Sequence, residues 1–170
     1  TRPGDYSSTK HDTFGEAGDG SIGVEVVDLD NDATTPPEIL VGNAATFDHV
    51  YLGSETLGAP SGSGTGLFDE KYTKVDIPST ETSTTTDVDI AKGLGTDAST
   101  SFIAVFTNSD GVDQIMEIDA TLKTSLLDGS RTLSSTDVFV LDSSLSGENT
   151  QSVKILDVTG DDIADVVIIV

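Results

Sequence analysis

Runs of four to six apolar-rich residues alternate along the chain with clusters of Gly, Pro, Asp, Ser and Thr. VEVVD (24–28), EILVG (38–42), HVYLG (49–53) and YTKVDI (72–77) each predict a short strand, because β-branched and aromatic residues suit a pleated surface and turn formers bound each run. A second set of four follows at VDIAK (88–92), SFIAVF (101–106), QIMEI (114–118) and DVFVL (137–141). VKILD (153–157) and DVVIIV (165–170) begin a third. Helix formers are sparse, so the expected class is all-β.

The runs keep a period. Val26, Ile90 and Ile155 stand 64 and 65 residues apart, and Leu40, Ala104 and Ile168 stand 64 and 64 apart. Fixed spacing over tens of residues is the signature of stacked supersecondary units. The chain is therefore divided into an N-terminal arm (1–20), a first repeat (21–84), a second (85–148) and a partial third (149–170). Four antiparallel strands per repeat of about 64 residues is the layout of propeller blades, which gives a partial β-propeller of about two and a half blades. A β-sandwich is the rival architecture, although Greek-key order does not require equal spacing. GAPSGSGTG (58–66) and PSTETSTTTD (78–87) read as solvated loops between strands.

Composition narrows the function. Apolar residues make up 35% of the 170, and the balance is Ser, Thr, Gly and Asp, which fits short strands and many turns. Thirty acidic residues against eight basic ones give a formal charge of −22, which repels nucleic acid and anionic membranes and attracts cations. No apolar run is long enough to span a bilayer. With no cysteine, disulfides cannot staple the fold.

The acidic residues recur at turns, and two loops at matching strand ends are Asp-rich. Asp28-Leu29-Asp30-Asn31-Asp32 follows the first strand, with Glu38 opening the next. Asp157-Val158-Thr159-Gly160-Asp161-Asp162 follows the corresponding strand of the third copy, with Asp165 opening the next. Alternate oxygen side chains in a tight loop converge, and a later carboxylate closes a cage of the kind Ca2+ prefers. An EF-hand is excluded, since Ile39 and Ile168 fall where its bidentate Glu belongs and the flanks are strands.

With Phe14-Gly15 upstream, VVDLDND…EILVGN (26–43) and ILDVTGDDIADVVIIV (155–170), the chain resembles the FG-GAP and VCBS repeat family of calcium-loop propeller blades, integrin repeats among them. The resemblance implies Ca2+ ligands at Asp28, Asp30, Asp32 and Glu38 in the first copy, and at Asp157, Thr159, Asp161 and Asp165 in the third. The family's loop glycine is replaced by Ala33 and Asp162, and Thr34 to Pro37 make the first loop two residues longer than the third. Lys92, Leu94 and Thr96 stand where the second copy's acids belong, so no metal is expected there.

Catalytic signals are poor. His11 and His49 each neighbour an Asp and read as loop residues, and no nucleophile elbow, thiol, phosphate loop or dinucleotide fingerprint is present. The expectation is a non-enzymatic, extracellular or cell-surface structural or adhesive protein, calcium-stabilised and self-assembling into a filament or surface assembly through incomplete blades. The alternative is a protein- or glycan-binding propeller fragment of a larger secreted or cell-surface protein.

Overall fold

Strand-forming runs bounded by turn residues become ten strands and one helix in the computed structural model, which describes residues 20–31, 35–44, 46–53, 72–78, 84–92, 101–109, 113–141, 149–161, 163 and 165–169. The first sheet holds β1 (Ser21–Val27), β2 (Glu38–Asn43), β3 (His49–Gly53) and β4 (Tyr72–Asp76), antiparallel and in chain order. The second holds β5 (Thr85–Lys92), β6 (Ser101–Asn108), β7 (Gln114–Asp119) and β8 (Val138–Val140) in the same order. The third pairs β9 (Ser152–Leu156) with β10 (Asp165–Ile169). Both long stretches 1–19 and 54–71, and with them all but the last residue of the N-terminal arm and the whole 58–66 loop, lie outside the described residues.

The sheets stack face to face. Leu40, Val50 and Leu52 of the first meet Val88, Phe102, Ala104, Phe106 and Met116 of the second in one core. Ile103 and Val105, on the other side of β6, meet Val153 and Ile155 of the third in another. A strand covered on both sides cannot alternate apolar with polar, which is why SFIAVF reads as a continuous apolar run.

Pairing fixes which residues are equivalent. Ser21 pairs with Asn43 and Thr85 with Asn108, and a bulge follows at the same place in both sheets. Val26 pairs with Ile39, Ile90 with Ala104 and Ile155 with Val166, so Val26, Ile90 and Ile155 are true equivalents. The second-strand alignment expected from the sequence is one residue out. Leu40 corresponds to Val105 and Val167, not to Ala104 and Ile168, because the first and second strands advance by 64 and 65 residues from the first repeat to the second, and by 65 and 62 from the second to the third. A one-residue slip exchanges the two faces of a strand. Leu40 and Val105 each face the following sheet, whereas Ala104 faces the preceding one.

Two further expectations are corrected. Thr85 to Asp87, read as the end of a solvated loop, open β5, with Thr85 buried. Between β7 and β8 stands a helix, α1 (Ala120–Leu127), that the all-β reading omits. Its local causes are plain: Asp119 caps the N-terminus by accepting the Leu122 N–H at 2.6 Å, and Gly129 beyond the C-terminus takes φ +74°. Leu122, Leu126 and Leu127 then join the core between the first and second sheets.

A buried polar latch recurs at each junction. Asp48 accepts the Asn43 N–H at 2.8 Å and lies 2.9 and 3.0 Å from the Thr85 hydroxyl, which belongs to the next sheet. Asp113 accepts the Asn108 N–H at 2.9 Å and the hydroxyl of Thr150, just before β9, at 3.1 Å. Burial raises the Asp48 carboxyl to about 6, against the lowering effect of its Asn43 and Thr85 hydrogen bonds. The folded state therefore binds this proton more tightly than the unfolded chain, whose group titrates near 3.8. Its contribution to stability is largest below pH 4 and falls, by on the order of 3 kcal/mol, as pH rises through 6. Urea melts from pH 4 to 7 are expected to show wild type losing more stability over this range than Asp48→Asn. Parallel profiles in the two proteins would refute the assignment.

Candidate functional site

The two Asp-rich loops occupy the same place in the first and third sheets. β1 ends at Val27 opposite Glu38, and β9 ends at Leu156 opposite Asp165, so Asp28 and Asp157 begin equivalent loops. One hydrogen bond recurs: the Leu29 N–H reaches Glu38 Oε2 at 2.9 Å, and the Val158 N–H reaches Asp165 Oδ2 at 3.0 Å.

In the third loop backbone amides organise the acids. Asp157 Oδ1 accepts from Gly160 N at 2.6 Å and Asp161 N at 3.3 Å, with the Thr159 hydroxyl at 3.4 Å. Asp165 Oδ2 also accepts Thr159 N at 3.3 Å, and Asp161 Oδ1 accepts Ile163 N at 3.0 Å. Gly160 sits at φ +79°, a left-handed turn that glycine adopts without strain. Asp157, Thr159 and Asp165 are thus tied together by one exposed turn, while Asp161 turns to Ile163 N, and the three carboxylates do not close on a common point.

The first loop is different. Glu38 is fully buried at the start of β2, and besides Leu29 N it accepts Gly53 N at 3.3 Å. Lys123, reaching across from α1, places its ammonium 2.5 Å from Glu38 Oε1 and 2.5 Å from Asp30 Oδ2. Burial works against that charge, but the hydrogen bonds to Asp30 and Glu38 outweigh it and hold the ammonium above its usual pKa. Thr35 lies 3.3 Å from Asp30 Oδ1. Asp28 is exposed, and Asp32 lies outside the described residues. Asp30 and Glu38 are brought together, then, around a lysine. Nothing in the local sequence of the loop announces that partner, which is 93 residues from Asp30.

Lys92 ends β5 at the position of Asp28, with its ammonium 5.7 Å from the centre of the Phe102 ring, while Leu94 and Thr96 lie outside the described residues. A second lysine serves as an internal counter-ion: Lys154 lies 3.3 Å from Asp89 and 3.8 Å from Glu25, which occupy its own position on β5 and β1. Burial and the neighbouring Asp89 raise the Glu25 carboxyl, and Lys154 opposes the rise.

His49, expected in a loop, is buried at the start of β3, with Nδ1 3.0 Å from Asp76 and its ring edge-on to Tyr51. His11 lies outside the described residues. Among the described residues no three His, Asp or Glu side chains gather closely enough to hold a metal ion. No helix among them is long and apolar enough to cross a membrane. No protein-family model, characterised protein or solved structure matches the chain.

Proposed function

We propose that this chain is a non-enzymatic structural module of an extracellular or cell-surface assembly, whose sheets stack as propeller-like blades and whose stack is extended by a second copy. The observation that carries this reading is a difference between equivalent residues. Val88 on β5 and Val153 on β9 are 1% and 0% exposed against the preceding sheet, whereas Val24, at the same position on β1, is 52% exposed. Val26 follows it at 57%. The exposed stripe is confined to β1, since Ile39 and Val41 on β2 are buried.

The opposite end of the stack carries the complementary deficit. Val27 and Ala91 pack against the following sheet, and their equivalent on β9, Leu156, is 46% exposed. Among the described residues β10 pairs with β9 alone, while β2 and β6 are paired on both sides. An open strand edge and apolar residues at both ends suit a head-to-tail contact, which grows a ring or a filament. The first strands lie side by side, as the inner strands of blades do: a Cβ on Gly23 would meet the Val88 Cγ1 at 2.9 Å. Third-loop calcium, held by Asp157, Thr159, Asp161 and Asp165, stiffens one end of the stack and relieves part of the −22 charge. Calcium at extracellular levels is abundant enough for such a loop.

Light scattering of the purified chain is expected to show mass rising with concentration, and Val24→Lys or Leu156→Lys to cap growth. A mixture of the two variants is expected to form heterodimers and no larger species, since each keeps one intact end. A wild-type monomer at every concentration would sink the second-copy reading and favour further blades of a longer polypeptide.

A further inference from the structure

We propose that Lys123 is the resident cation of the first loop, so that this loop binds no calcium and its carboxylates instead clamp the first sheet to the helix of the second repeat. The inference rests on reading the third loop as a calcium loop. Glu38 and Asp165 are equivalent by strand pairing and by the shared bond from Leu29 N or Val158 N. In the third loop that closing carboxylate faces an exposed turn. In the first it is buried, and its Oε1 is in contact with the Lys123 ammonium, which also holds Asp30.

A charged group placed between two carboxylates at contact distance occupies the space a calcium ion needs and supplies positive charge of its own. Calcium binding would have to expel the ammonium, leaving a buried lysine without the partners that keep it charged. The clamp joins β2 and the first loop to α1 and needs no dissolved ion, so the junction between the two complete sheets is independent of calcium. Its helix is essential to the device, because α1 is the element that delivers Lys123 across the junction. A cleft of about 400 Å³ lined by Asp30, Gly53, Thr73, Lys123 and Thr124 opens beside the clamp and gives an ion access once the lysine is removed.

Calcium titration calorimetry on the full chain tests this, with Lys123→Met keeping a side chain of similar length without the charge. Wild type is expected to bind one ion and Lys123→Met two, with Asp165→Asn losing the wild-type ion. Asp28→Asn, at an exposed position of the first loop, is expected to leave wild-type calcium binding unchanged, and this arm holds whether or not Lys123→Met folds. Two ions in wild type, one ion in both wild type and a folded Lys123→Met, or weakened binding in Asp28→Asn overturns the proposal. No ion in wild type but one in Lys123→Met supports the lysine's role while removing the third-loop reading.

Discussion

Glu38→Ala is expected to lower the stability of the folded chain by about 3–5 kcal/mol, the range for removing one partner of a buried ion pair. Glu38 is fully buried, and its two oxygens accept the Lys123 ammonium and the backbone N–H groups of Leu29 and Gly53. The substitution leaves a buried ammonium with Asp30 as its remaining carboxylate in the pair and takes an acceptor from two amides. Removing the lysine as well takes away the charge that needs the partner. In urea melts, Glu38→Ala/Lys123→Met is therefore expected to lose less than the sum of the two single variants. Additive losses, or a Glu38→Ala protein within about 1 kcal/mol of wild type, would show that the clamp is not formed in solution.

Asp113→Ala is expected to cost about 2–6 kcal/mol, because two buried donors lose their acceptor at once and each such loss is worth about 1–3 kcal/mol. One donor, Asn108 N, belongs to the second sheet, and the other, the Thr150 hydroxyl, leads into the third. The loss should therefore concentrate at that junction. Hydrogen exchange of the Val153 and Ile155 amides is expected to accelerate more than that of amides in β2. Uniform acceleration through all three sheets would mean that the latch contributes to global stability without tying the third sheet in place.

Strand positions were legible because each needed only its own residues: β-branched runs and flanking turn formers mark β1 to β10 without reference to any neighbour. The helix was equally local, with Asp119 before it and Gly129 after it, but short and unremarkable in its apolar pattern. Equivalence by residue counting worked for Val26, Ile90 and Ile155 and slipped by one for Leu40, because the loops between strands differ in length by a residue. The latches had a sequence trace, Asn43 with Asp48 and Asn108 with Asp113 at the same separation, each followed by a threonine that opens the next repeat. Their roles could not be read from that trace, since Asp and Asn near a turn serve many ends.

The two acidic loops looked alike as sequence, and they are alike in backbone register. By itself the sequence determined the strands, their order, the approximate repeat and the placing of carboxylates at matching strand ends, all of which follow from short-range preferences. Tertiary structure alone decided which partners the carboxylates of each loop meet. Asp157 and Asp165 turn onto backbone amides at the surface, whereas Asp30 and Glu38 close on Lys123, brought from a helix far along the chain by the stacking of one sheet on the next. The physical reason is that a buried carboxylate must find a positive partner wherever the fold supplies one, and packing, not proximity in sequence, selects it.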